Sequence, residues 1–285
     1  MEFFYKNRQG NKINNKKILS GSTLKLLAVI SMLFDHFGRI VLENGYLMNS
    51  TRSMISDEQY ARISAMSDVC GWIGRMAFPI FCFLLTEGFV HTKNLKKYMR
   101  NLLLFAILTE TIYDWSFTGI LFNIYQQNVM FELLLGIIAL YLIRREEKFV
   151  KEKMRVVNEK EAKSISIIIA ILIIIILGKA AESLYLDGGL YGISLIGMFY
   201  LLRKQKIAKF FAGIGILLFY NCYLVGGGFD FSPENFLDIS LLAGVSALLL
   251  IFGYNGQRGR RVKYFFYVFY PMHLFILKIL SVLYT

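Results

Sequence analysis

Residues 164–182, SISIIIAILIIIILGKAAE, run for 19 positions with Lys179 and Glu182 confined to the far end. A helix of that length rises about 28 Å, close to the roughly 30 Å of hydrocarbon in a bilayer. The isoleucines at 165–176 fall on every side of such a helix, which points to a lipid-facing surface rather than one face of a soluble core. Working outward, comparable apolar runs occupy 22–43, 70–91, 97–118, 127–143, 188–202, 207–225, 236–253 and 263–284. The 188–202 run is the shortest and the weakest candidate to span fully. Over 285 residues the chain is 56% hydrophobic, with a mean hydropathy of +0.50, outside the range of soluble domains. The expected fold is all-α: a polytopic integral membrane protein of about nine transmembrane helices, forming a single domain over 1–285.

The net charge of +12 does not imply a nucleic-acid partner, because the basic residues sit in short clusters between apolar runs rather than on one stripe. Residues 1–20, 92–100, 144–163, 203–209 and 254–263 are basic, whereas 44–69 is mixed, 119–126 uncharged and 226–235 carries only Asp230 and Glu234. The positive-inside rule places the N-terminus in the cytoplasm and, after nine spans, the C-terminus outside. A multi-pass protein of the cell membrane is expected, with membrane lipid as a partner. The segment 1–21 reads as a basic cytoplasmic extension without the apolar core or cleavage site of a signal peptide. The stretch 144–163 mixes eight Lys/Arg with five Glu and reads as a charged cytoplasmic linker. Cys70, Cys82 and Cys222 form no C-x-x-C pair and read as packing residues.

Ionisable groups within apolar runs are costly in a bilayer and mark functional sites by default. The first run carries Lys25 near its cytoplasmic end and Asp35, His36 and Arg39 further out. Lys25 and His36 are 11 residues apart, close to three helical turns, so they share a face about 16 Å apart along the axis. The second run carries Arg75, then Pro79 as a candidate kink, then Glu87 and His91 at i,i+4. Glu110 and Asp114 lie in the third run, Asn128 and Glu132 open the fourth, and His273 follows Pro271 in the ninth. By depth these form an outer set (Asp35, His36, Arg39, Arg75, Glu110, Asp114, Asn128, Glu132, His273) and an inner set (Lys25, Glu87, His91, Lys93). The inner set suits an anion. The three histidines lack the spacing of a compact metal motif, so no metal is expected.

The strings LKLLAVISMLFDHFGRI (24–40), GRMAFPIFCFLLTEGFVHT (74–92), TETIYDWSF (109–117), QNVMFELLLGIIALYL (127–142) and FYPMHLFILKIL (269–280) resemble the TraX family, whose founding member is a conjugation protein that acetylates the pilin N-terminus. That family resembles in turn the wider membrane acyltransferases, with a basic residue, ten intervening residues and a histidine in an early span. Lys25 and His36 match that pattern. The resemblance implies transfer of an acyl group, usually acetyl, from cytoplasmic acyl-CoA to an amine or hydroxyl acceptor at the outer face, on an envelope glycan, a lipid or a protein N-terminus. The chain departs from the pattern in having nine runs rather than ten, and its context does not single out pilin as acceptor.

On this reading acetyl-CoA is the co-substrate. Lys25, with Glu87, His91 and Lys93 around it, holds the anionic nucleotide at the inner face. His36 acts as general base, oriented by a carboxylate such as Glu110 or Asp114, with Asp35 and His273 in the same outer set and Arg75 or Asn128 stabilising the oxyanion. Two readings from other classes stand beside it: a proton-coupled secondary transporter, which uses the same buried groups, and an envelope-assembly scaffold. Homo-oligomerisation is open.

Overall fold

The computed structural model describes residues 19–48, 55–153, 159–222, 239–260 and 265–283. The described residues are helical apart from short turns and two isolated bridges. In chain order the helices are α1 (Gly21–His36), continued without interruption by a π-helical segment (Phe37–Leu47), then α2 (Asp57–Gly74), α3 (Ala77–His91), α4 (Leu95–Thr118), α5 (Val129–Lys153), α6 (Glu159–Ser183), α7 (Gly189–Leu201), α8 (Lys206–Tyr220), α9 (Ile239–Phe252) and α10 (Phe265–Leu283). Among the described residues, Asp57–His91 and Glu159–Ser183 are long and apolar enough to cross a membrane.

Among the described residues each of the nine apolar runs falls on helix, the second on two helices, but three boundaries differ from expectation. The first helix continues to Leu47 in π winding. The supposed connection 44–69 contains α2, which starts with a capping box between Ser56 and Gln59. A hydropathy scan misses such a helix because its start is marked by capping rather than by apolar residues. The linker 144–163 is also largely helical, since α5 continues to Lys153 and α6 begins at Glu159; Glu, Lys and Arg are good helix formers. The basic residues of 1–18, Asp230, Glu234 and Lys263 lie outside the described residues.

Pro79 breaks the second run, four residues earlier than its own position. Its ring has no N–H for the carbonyl of Arg75 and clashes with it, and the helix ends at Gly74 and resumes at Ala77. Ser31 of α1 covers the break, with Oγ 2.5 Å from the Ile73 carbonyl and 3.3 Å from that of Gly74.

The short sixth run forms the centre of one half of the molecule. α7 has 13 residues, about 20 Å of helix. Nine of them are buried, from Gly189 through Tyr200, and α3, α5, α6 and α8 pack around it. Gly136 of α5 meets the Ile196 side chain where a Cβ would stand, so α5 and α7 approach closely. A second, smaller core joins α4, α10 and the π segment through Ile40, Val41, Ala106, Tyr113, Tyr270 and Leu274.

Candidate functional site

His36 is the last α-helical residue before the winding changes to π, a feature frequent at functional sites. Its imidazole meets His273 of α10, with Nδ1 of His36 2.7 Å from Nε2 of His273. The rings are nearly parallel, with centroids 5.0 Å apart. Phe117 packs edge-on against His36 at 5.3 Å, and Tyr270 lies at 6.2 Å. His273 in turn places Nδ1 2.8 Å from the Phe269 carbonyl.

This chain of hydrogen bonds assigns the tautomers of the two neutral rings. A carbonyl only accepts, so His273 Nδ1 carries a proton and its Nε2 offers a lone pair. His36 Nδ1 must then donate to that lone pair, which leaves His36 Nε2 unprotonated. No described residue hydrogen-bonds to His36 Nε2, and it is not among the fully enclosed polar atoms. The ring is buried and oriented by His273, and its basic nitrogen is left without a hydrogen-bond partner among the described residues. Sequence reasoning sought a carboxylate to orient the ring; the structure provides His273 instead.

The other outer residues divide into two groups. Glu110, Asp114 and Asn128 tie α4 to the start of α5. Asn128 Nδ2 donates to the Ala106 carbonyl at 2.9 Å and to Glu110 Oε2, its backbone N–H donates to the same oxygen at 3.2 Å, and its Oδ1 accepts from Met130 N–H at 2.9 Å. Asp114 Oδ2 accepts the Asn123 N–H at 2.7 Å. These contacts occupy the Asn128 amide that was considered for an oxyanion. Neither carboxylate forms an ion pair with Arg75 within the described residues.

Asp35, Arg39 and Arg75 form the second group. The Asp35 side chain lies where a Cβ on Gly74 would be, against the break that carries Arg75. Both arginines are within electrostatic reach of Asp35, and the Arg39 guanidinium lies 5.8 Å from the centre of the Phe117 ring. Both are accessible to water.

A further member of this group, Asp187, was missed from the sequence because it lies in a short connection between two apolar runs rather than inside one. Its segment is held by Gln127 N–H donating to the Tyr185 carbonyl at 3.0 Å and by the Gln127–Leu186 bridge. Asp187 is exposed to water, but the protein packed around it pushes its carboxyl up to about 6 against the pull of Arg39 and Arg75.

The inner residues do not gather as one cluster. The start of α1 is clasped by residues 254–258: Gly21 N–H donates to the Gln257 carbonyl at 2.8 Å, Ser22 N–H to that of Arg258 at 2.9 Å, and Asn255 N–H to that of Leu19 at 2.9 Å. This clasp brings Arg258 within electrostatic reach of Lys25. Tyr254, bridged to Leu19, packs on Phe83 at 5.2 Å and faces Glu87, which is also within reach of Lys209. Among the described residues His91 has no hydrogen-bond partner beyond its own helix, with Nδ1 2.9 Å from the Glu87 carbonyl and a side chain 71% exposed; Lys93 is exposed as well. Arg258 and Lys209 lie in basic segments whose charge the sequence explains by topology alone.

Together the fold and site define an all-helical, membrane-associated protein with a buried histidine pair on two helices distant in sequence. The family model described as "TraX protein" matches residues 20–281, and the chain belongs to that family. It is also similar to a protein of Dichelobacter nodosus described as a probable fimbrial assembly protein, FimC of serogroup H1, with 28% identity over 271 residues, 90% of this chain and 94% of the relative. No solved structure matches.

Proposed function

We propose that this protein is a membrane acyltransferase that moves an acyl group, acetyl first among candidates, from cytoplasmic acyl-CoA to an amine or hydroxyl at the extracytoplasmic face. The observation that carries this reading is the His36–His273 pair, whose hydrogen bonds leave His36 Nε2 open as a base. Membership of the TraX family and the fimbrial-assembly relative support an acceptor on a surface-appendage subunit. The alternating basic loops support nine spans in the plasma membrane, with the N-terminus cytoplasmic and the C-terminus outside.

In this mechanism Lys25, with Arg258 beside it, binds the phosphates of acyl-CoA, and the pantetheine arm extends along α1 toward His36. His36 Nε2 takes the proton from the acceptor as its nitrogen or oxygen attacks the thioester carbonyl. Arg39 or Arg75 stabilises the oxyanion of the tetrahedral intermediate. The C–S bond then breaks, the carbonyl re-forms on the acceptor, and the His36 proton passes to the departing thiolate. His273 acts as a positioning residue by holding His36 in the productive tautomer.

The test is acetyl-CoA binding and turnover by the detergent-purified protein beside His36→Ala. Binding with His36-dependent thiol release is the expected result. Absence of binding at millimolar acetyl-CoA by folded protein would overturn the proposal and favour the proton-coupled carrier.

A further inference from the structure

α6 and α8 flank α7, each packed against it, and between α7 and α8 lies a cavity of about 220 Å³. From Gly189 to Tyr200 every residue of α7 is buried except Leu190, Tyr191 and Ser194, and these three line the cavity. They fall at i, i+1 and i+4, on one face of the helix. The opposite wall, on α8, is Ala212, Gly215, Ile216 and Phe219, spaced i, i+3, i+4 and i+7 as a packing stripe is. The two stripes face each other across a gap. α8 makes its close approach on another side, where Gly213 meets Leu248 and Gly244 meets Leu217 across the contact with α9.

The geometry of the α7–α8 hairpin holds this gap open. At one end the helices are joined by a short turn, in which the Gln205 N–H donates to the Leu202 carbonyl at 2.9 Å. At the other end Tyr191 stacks on Tyr220, with ring centroids 4.3 Å apart, so two large rings separate the helices. Between turn and rings the side chains are too small to meet: Ser194, Ala212 and Gly215, where an added Cβ would find nothing within 4 Å. Protein interiors leave few voids larger than a water molecule, and an apolar cavity of roughly 150 Å³ already stays dry and takes a benzene-sized guest.

Shape, charge and surroundings point to one kind of occupant. The lining runs along α8 from Ala212 to Tyr220, about 12 Å of helix axis, and the cavity volume spread over that length is about one hydrocarbon chain wide. The one acid among the lining residues, Glu182, is paired with Lys179 at 2.7 Å, which favours an uncharged guest. Phe211 and Phe219 of α8 and Ile171, Leu172, Ile175 and Ile176 of α6 are exposed, so the helices that flank the cavity present hydrocarbon outward, as lipid-facing helices do.

We infer that the α7–α8 cavity is a lipid site that takes one acyl chain of a membrane phospholipid, entering between α6 and α8 and lying along Ser194, Ala212 and Gly215. The inference rests on the membrane placement proposed above and not on acyl transfer, since neither Lys25, His36 nor His273 lines the cavity.

The experiment uses phosphatidylcholine with a photoreactive diazirine in mid-chain, added to the detergent-purified full chain at one lipid per protein. After illumination and proteolysis, adducts on 189–194 and 212–220 should exceed those on the α6 isoleucines by about tenfold or more, the affinity that burying roughly two methylene groups provides. Gly215→Leu fills the cavity and suits a helix better than glycine; it should bring the ratio close to unity with the melting curve retained, and Ala212→Phe should do the same from the neighbouring turn. Ile175→Phe, on the exposed face of α6, should leave the ratio unchanged. The inference is overturned if the folded wild-type protein shows no enrichment, whether because the gap closes or because a second copy of the chain fills it, or if the folded filling variants retain the enrichment. In vesicles of the same phosphatidylcholine the α6 isoleucines should be labelled. Absence of that labelling would overturn the membrane placement and this site with it, whereas a negative result in detergent overturns the site alone.

Discussion

Two buried polar assemblies lie on the same side of the molecule and are built for different ends. The Glu110–Asp114–Asn128 knot directs its hydrogen bonds into the α4–α5 connection, and its spare atoms, Glu110 Oε1 and Asp114 Oδ1, are sealed from solvent. The histidine pair also has its internal hydrogen bonds made, but the atom left over, His36 Nε2, is a ring nitrogen whose lone pair meets no described donor. Burial of polar groups in an apolar helix therefore does not by itself separate structure from chemistry. The state of the last unengaged atom does, because a carboxylate oxygen sealed without a partner is only a cost to stability, whereas an imidazole nitrogen left with its lone pair can take a proton.

Breaking the pair should have the largest effect on activity. His36→Ala should lower acyl-transfer turnover by about 10²–10⁴-fold with the helical spectrum retained. His273→Ala should cost less, and His273→Gln should recover part of the loss, since the Gln Oε1 can accept from His36 Nδ1–H; equal losses in the two His273 variants would show that the tautomer is not what His273 controls. Breaking the knot should act on stability instead. Asn128→Ala leaves buried partners unsatisfied and should destabilise the protein by about 1–3 kcal/mol, read as a lower melting temperature, with turnover per folded molecule maintained. A turnover loss as large as that of His36→Ala would erase the contrast between the two assemblies.

Smaller effects sharpen the picture. Asp187 binds its proton more tightly in the folded protein, at about 6, than in an unfolded chain, at about 4. Its contribution to stability is therefore fully present below pH about 4 and is lost as pH rises through about 6. Melting temperatures compared across this range should show that slope in the wild-type protein and not in Asp187→Asn; identical profiles would show that Asp187 does not titrate in this window. The smallest expected effect is at the other end of α1, where Lys25→Ala should raise the apparent KM for acetyl-CoA by about three- to tenfold with little change in kcat. A defect confined to the acceptor would remove Lys25 from donor binding.

Much of this architecture was legible from the apolar runs, because a long stretch without charge can be stable only as a helix whose backbone bonds are internal. The boundaries were less legible where polar sequence is helical. The start of α2 is marked by a capping box, and the charged ends of α5 and α6 follow helix propensity, neither of which registers in hydropathy. In the site, His36 was found by its helical spacing from Lys25 and by its polar neighbours. Its partner was not, because His36 and His273 are 237 residues apart and no local pattern connects them. Asp187 escaped for a related reason: it lies in a connection rather than an apolar run, and only the fold brings it within electrostatic reach of Asp35, Arg39 and Arg75.

The sequence by itself determined that this chain is helical, which residues place polar groups inside apolar runs, and which family it joins, since these follow from composition, period and ordered motifs. Only the tertiary structure decided which of those polar groups meet. Hydrogen bonds between helices depend on packing and on where a break such as that before Pro79 turns the chain, and these are properties of the assembled bundle rather than of any one segment.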